Sequence, residues 1–203
     1  MPLNANSDLN TLLRKAGIDG ATADAVIDID SMLQQWRRRA MKRELGQRAL
    51  VDLRIGIDLP QYDVLAAIDG PAPEFGGEGG ETMVATVAER LNIDPSRASR
   101  LVSEMVEKGF ARRAVSQADA RRTIIELTPK GTAVVANVRA YKYLLVGDFL
   151  SVWTKEELAT FVPLLKQFST WVDGADAAAA KYAAEIEQMA RSLGQTEPEK
   201  AEL

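Results

Sequence analysis

The sequence predicts a mainly α-helical chain interrupted by one small antiparallel β-hairpin, and three observations carry that prediction. Apolar residues recur at spacings of three and four through most of the 203 residues. Only FARRAV (110–115) and TIIEL (123–127) are short enough, and rich enough in aromatic or β-branched residues, to be strands. The segment between them, SQADARR, is polar and short, as a hairpin connection should be.

The elements follow in order. MPLNANSDLNTLLRKAGIDG holds one apolar cluster, Leu9, Leu12 and Leu13, closed by Gly17 and Gly20, which predicts a brief helix in an arm over residues 1–23. From Thr22 to Leu45, Val26, Ile29, Leu33, Trp36 and Ala40 make one stripe of a long helix, with Gly46 weakening its end. Asp58 is a cap and Pro60 a first-turn residue for a helix bearing Tyr62, Val64, Leu65 and Ile68, stopped by Asp69-Gly70. PAPEFGGEGGE (71–81) reads as a loop. It is no phosphate cradle, because that needs Gly-x-x-x-x-Gly-Lys-Ser/Thr, and Glu74, Glu78 and Glu81 would repel the anion.

The most informative stretch is TMVATVAERLNIDPSRASRLVSEMVEKGF (82–110). Val84, Val87, Ala88 and Leu91 line a short helix, and Asn92-Ile93 makes the turn. Asp94-Pro95 then starts a second helix with Ala98, Leu101, Val102, Met105 and Val106 inward and Gly109 at its end. Two helices so joined, the second polar at its front, form a helix-turn-helix, and the hairpin behind them is its wing. Thr128-Pro129 opens a long helix carrying Val134, Val138, Tyr141, Leu145, Phe149 and Val152. Thr154 and Glu157 form a capping box for a helix with Leu158, Phe161, Leu165, Phe168 and Val172 on one stripe. An Ala-rich helix with Tyr182, Ile186, Met189 and Leu193 on one face follows, and GQTEPEKAEL is a frayed tail.

Composition narrows the chemistry. A hydrophobic content of 46% and a charged content of 27% are those of a folded globular chain. There is no apolar run long enough to span a membrane and no signal-peptide pattern, so the expected location is the cytoplasm, with no membrane partner. Without cysteine or histidine, disulfides, thiolate chemistry, the commonest metal ligand and the usual general base are all excluded. No catalytic residue, metal or cofactor is expected, and the chain does not read as an enzyme; Glu156 and Glu157 are explained by helix capping. The net charge is −4, yet residues 94–130 hold eight bases against five acids, a local +3. Concentrated positive charge is what phosphate binding requires. Ser96, Arg97, Ser99 and Arg100, at the front of the second helix, are short polar and forked cationic side chains suited to a major groove. Alone they would read as a capped, solvated helix front.

The order of a long helix, LPQYDVL, PSRASRLVSEMVEKGF, DARRTIIELTPKG and further apolar helices resembles the MarR family of bacterial transcription regulators over roughly residues 24–172. The resemblance implies a helical dimerisation region (24–57 and 128–174), a winged helix-turn-helix DNA-binding region (58–127) and an additional Ala-rich C-terminal helix and tail (175–203). It implies a homodimer on a pseudo-palindromic operator in double-stranded DNA, acting as a repressor released by a small aromatic or lipophilic effector. Arg121 aligns with the family's wing-tip arginine, directed to the minor groove; Asp119 is its aligner through a bidentate bond, and Arg122 contacts phosphate. Trp36 and Tyr62 are candidate walls of the effector pocket, with core packing as the plainer reading. The cluster RRRAMKR (37–43) reads as a solvated face paired with acids of a second chain before it reads as a DNA contact. The alternative function is a winged-helix protein-interaction module without DNA binding, docking through the Ala-rich helix. The arm, the glycine-rich loop and the Ala-rich helix exceed the family's usual pattern.

Overall fold

In the computed structural model, residues 6–70 and 81–194 are described, and the loop and frayed-tail readings for 71–80 and 195–203 lie outside them. The chain divides into two units, residues 42–152 and residues 1–41 with 153–203. The first contains α3 (Glu44–Asp52), α4 (Leu59–Asp69), α5 (Val84–Leu91), α6 (Pro95–Glu107), β1 (Ala111–Val115), β2 (Thr123–Leu127) and α7 (Pro129–Leu150). The second contains α1 (Asn6–Lys15), α2 (Gly20–Lys42, all but its last residue), α8 (Lys155–Ser169), a 3-10 turn (Trp171–Gly174), α9 (Ala175–Lys181) and α10 (Ala183–Gly194). Mainly α with one antiparallel hairpin is therefore the fold. No described helix is long and apolar enough to cross a membrane.

The core of the first unit is made by the residues that periodicity put inward. Val64 and Leu65 of α4, Val87 of α5 and Ala98, Val102 and Met105 of α6 are fully buried, and Val138 of α7 joins them. α4 packs on α5, α6 and α7 at once, while α3 packs on α7. Two junctions then fix the helix-turn-helix. Asn92 adopts the left-handed conformation (φ 49°), its amide bonding Glu89 and that of Ile93 bonding Ala88, so α5 ends in a Schellman motif. Asp94 accepts from the amides of Ser96 and Arg97, capping α6. At the far end Gly109 (φ 73°) repeats the motif, with the Phe110 amide donating to Met105 at 2.9 Å. Since that amide is committed to α6, β1 begins at Ala111, one residue later than FARRAV suggests.

The long first helix differs from expectation. It breaks at Arg43, which has a left-handed backbone (φ 53°) and makes a two-pronged ion pair with Asp63 of α4. The favourable pair offsets a conformation costing roughly 1–2 kcal/mol for a residue with a Cβ. Gly46 does not end a helix; it lies inside α3, where an added Cβ would stand 3.1 Å from the Leu59 side chain. The Ala-rich segment is likewise two helices, separated at Tyr182.

In the second unit the capping box at Thr154 forms as spaced: its hydroxyl accepts from the Glu157 amide at 3.1 Å, and the Glu157 carboxylate accepts from the Thr154 amide at 2.7 Å. Thr154→Ala is expected to cost about 1 kcal/mol, read as a lower urea midpoint at unchanged slope.

Candidate nucleic-acid interface

α6 sorts its side chains by period. Ala98, Leu101, Val102 and Met105 face the core, which leaves Ser96, Arg97, Ser99 and Arg100 exposed together at the helix front. Arg97 makes no side-chain hydrogen bond or ion pair among the described residues. Arg100 stands 3.9 Å from Glu104, one turn on, in a contact mostly open to water. The Ser96 hydroxyl donates to the Asp94 carboxylate, so its remaining capacity is to accept. That bond, with the amides of Ser96 and Arg97, holds the Asp94 carboxyl below the usual carboxylate range.

The hairpin pairs Ala111 with Leu127, Arg112 with Glu126, Arg113 with Ile125, Ala114 with Ile124 and Val115 with Thr123. Ile124 and Ile125 are both buried, and Leu127 packs against the core, which anchors the strand that follows the wing. The wing loop folds around Ser116: its hydroxyl accepts from the amides of Ala118 and Asp119 and donates to Glu81 at 2.5 Å. Glu81 also accepts from the Gln117 amide, and the next residue, Thr82, accepts from the Ile125 amide at 2.7 Å. Glu81, read from sequence only as a repelling charge, thus clamps the wing base. Arg90 of α5 reinforces the same edge by donating to the Ala67 carbonyl and the Thr82 hydroxyl.

At the tip, Arg121 projects with 91% of its side chain exposed. Asp119 aligns it, but by a single bond: Arg121 Nε donates to Asp119 Oδ1 at 3.2 Å. The expected bidentate pair does not form, because the other carboxylate oxygen faces Arg122 Nε at 3.5 Å. One acid therefore serves both arginines. Arg113, which sequence reading did not single out, donates to Ser103 on α6 at 3.2 Å and adds a cation between helix and wing. Its signal was present only as alternation in FARRAV, which leaves Arg112 and Arg113 on opposite faces; Arg112 is neutralised by Glu126 at 2.8 Å.

The Ser116 hydroxyl, then the Gln117 amide, and beyond these the Arg122 charge, hold the Glu81 carboxyl low against the opposing effect of its desolvation. A depressed carboxylate adds stability above its unfolded value and loses it as pH falls through the folded one. The wing base and the α6 cap should therefore loosen only below the ordinary carboxylate range. Amide hydrogen exchange at Gln117, Ala118 and Ser96 should accelerate there and stay flat near neutrality; Glu81→Gln should flatten the acid response at the wing alone.

Trp36 and Tyr62 fall in different units. Tyr62 is 7% exposed in the core of the winged unit, with Lys142 Nζ 5.7 Å from its ring centroid. Trp36 is 58% exposed and lines a cleft of about 780 Å³ with Met32, Phe161, Phe168 and Trp171. Of the 37–43 cluster, Arg43 is paired within its own chain to Asp63, and Lys42 lies 3.7 Å from Glu44. Arg37, Arg38 and Arg39 are exposed and make no ion pair among the described residues.

Comparison with known proteins agrees with this architecture. The sequence model of the MarR family matches residues 55–122. No curated protein matches the chain. Among solved structures, a MarR family protein from Bacillus stearothermophilus is 19% identical with a TM-score of 0.59, covering 74% of this chain and 96% of its own. RV1404 from Mycobacterium tuberculosis is 21% identical with a TM-score of 0.55, covering 74% and 94%. MepR of S. aureus, solved bound to ethidium bromide, is 19% identical with a TM-score of 0.50, covering 68% and 95%. The matched segment lies within the winged unit, which is thus similar in sequence to the MarR family and shares the fold of its solved members.

Proposed function

We propose that the protein is a sequence-specific, double-stranded DNA-binding regulator that works in the cytoplasm as a homodimer. It represses transcription at a pseudo-palindromic operator. The observation that carries this reading is the joint exposure of Ser96, Arg97, Ser99 and Arg100 on α6 and of Arg121 on the wing, with the local excess of positive charge. Ser99 and the two α6 arginines meet base edges in the major groove, Arg121 enters the minor groove, and Arg122 and Arg113 contact phosphate.

Dimerisation is supported by apolar surface. Tyr143, Leu144 and Val146 of α7, and Val162, Leu164 and Leu165 of α8, are exposed, and α8 buries no residue at all. Large apolar side chains exposed along a helix in this way support an interface. In the dimer the two α6 helices would stand about 34–36 Å apart, one DNA turn, so that both read one side of the duplex.

A small aromatic or lipophilic effector is the proposed releasing signal. The aromatic cleft at Trp36 fits such a molecule, and the MepR structure with ethidium is a relative of the same fold holding an aromatic ligand. Tyr62, closed into the core, is left as a packing residue. The deciding experiment is a gel shift at low salt with fragments of the neighbouring promoter. Retention that a specific fragment competes away supports the reading; no retention with any fragment favours a protein-interaction module instead.

A further inference from the structure

An ion pair one turn apart on an exposed helix face ordinarily contributes little, because two long side chains must be stilled in water. The pair of Arg100 and Glu104 on α6 differs at one end. Glu104 Oε2 accepts from the side-chain nitrogen of Gln61 at 2.9 Å, and Gln61 belongs to α4, which packs on α6. The Glu104 side chain is accordingly half as exposed as that of Arg100, 36% against 72%. Leaning toward the helix N-terminus, as helical side chains do, it comes up beside Arg100, and its other oxygen, Oε1, faces Arg100 Nε at 3.9 Å.

Gln61 can hold Glu104 in only one way. It is buried, and its side-chain oxygen accepts from the Asp58 amide at 3.2 Å and from Lys108 Nζ at 3.0 Å. Both partners are donors, so a flipped amide would set NH2 against N–H and ammonium and turn an oxygen to Glu104. The nitrogen therefore points to the carboxylate. The α4 cap holds the residue in place, since Asp58 accepts from the Gln61 backbone amide at 2.8 Å in the same capping box. One buried amide and one carboxylate thus connect the core to a cation of the candidate interface. With Nε turned to Glu104, Arg100 keeps Nη1 and Nη2 as a fork, and neither has a partner among the described residues. That fork matches O6 and N7 of guanine.

We propose that Gln61 is a positioning residue for base readout: by holding Glu104 against Arg100 Nε, it presents the Arg100 fork to one guanine in each half-site and keeps it from the phosphates. The inference rests on the DNA-binding reading above. Glu104 contributes in two ways. Its free oxygen orients the guanidinium before contact, which reduces what must be ordered on binding. Its charge opposes the phosphate backbone, which weakens attachment to arbitrary sequence.

The test is selection by the full chain from a library of randomised double-stranded oligonucleotides, followed by sequencing of the retained duplexes. Arg100→Ala should erase the preference at one base pair of each half-site and so mark the pair that this arginine reads. Glu104→Gln gives the new amide's oxygen to Gln61 and turns its NH2 to Arg100, donor against donor. Gln61→Glu keeps the capping box and the Lys108 contact but sets carboxylate against carboxylate. Each is expected to lower discrimination at the marked base pair by about tenfold while the other positions keep theirs, and Glu104→Gln should also bind arbitrary duplex more tightly as a negative charge is removed. The two substitutions together rebuild the hydrogen bond with its direction reversed, again turn an oxygen to Arg100, and should recover the preference; damage to packing could not be repaired this way. Glu104→Gln, at the more exposed of the two positions, decides alone if Gln61→Glu does not fold. No base pair answering to Arg100→Ala, an unchanged preference in Glu104→Gln, a loss spread evenly over all positions, or a folded double variant still without the preference overturns the positioning role and leaves the DNA reading intact. A parent chain that enriches no sequence overturns the DNA reading, and this inference with it.

Discussion

Gly131→Ala is expected to destabilise the winged unit by about 3 kcal/mol, the sum of an overpacked contact and weakened hydrogen bonds. A Cβ at this position would stand 2.0 Å from the Phe110 carbonyl oxygen and 3.1 Å from its carbon. Both are backbone atoms, so no side chain can swing aside. The same carbonyl accepts from the Thr128 amide at 3.0 Å and its hydroxyl at 3.2 Å, and pushing it away loosens both bonds together with the α7 cap. Gly147 provides the contrast within one helix: nothing lies within 4 Å of its added Cβ, and Gly147→Ala should stabilise by up to about 1 kcal/mol through helix propensity. Urea denaturation of the two variants checks the pair. A loss below about 1 kcal/mol for Gly131→Ala would mean that the two elements approach less closely than described.

Arg121→Ala should weaken operator binding by about 1–3 kcal/mol and reduce the slope of log affinity against log salt by about one. The side chain is almost wholly exposed and, among the described residues, bonded only to Asp119, so the substitution should leave the unfolding midpoint where it was. The separation of the two effects is the diagnostic: a structural arginine would lower stability, whereas a DNA contact lowers affinity and counterion release alone. Fluorescence anisotropy across a salt series reads both. An affinity that matches the parent protein at every salt concentration would remove the wing from the interface.

Most of the fold was legible because local signals and burial agree. Asp58 with Pro60, Asp94 with Pro95 and Thr128 with Pro129 each start a helix where cap chemistry placed it. The 3.6-residue period in PSRASRLVSEMVEKGF put Met105 inside and Arg97 outside, as found. What escaped reading is what tertiary contacts impose. The break at Arg43 depends on Asp63, twenty residues later, and no propensity marks an arginine as left-handed. The clamp of Glu81 on Ser116 joins segments that sequence shows as a loop and a strand end. In the candidate interface the residue types were readable, but the sharing of Asp119 between two arginines was not, since either spacing alone permits a bond. Lys108 and Lys130 were counted with the DNA-facing charge although one sits at the C-cap of α6 and the other in the first turn of α7, away from the α6 front; a linear tally of charge has no direction.

The divided attention of Asp119 shapes how the wing would meet a duplex. When the guanidinium at the tip leaves for the groove, the carboxylate still has Arg122 to hold and Ser116 still receives the amide beside it, so the loop need not refold as its outermost cation departs. The cost of reaching is confined to one flexible side chain. Encounter with DNA would then be governed by diffusion and ionic strength rather than by any slow rearrangement of the hairpin.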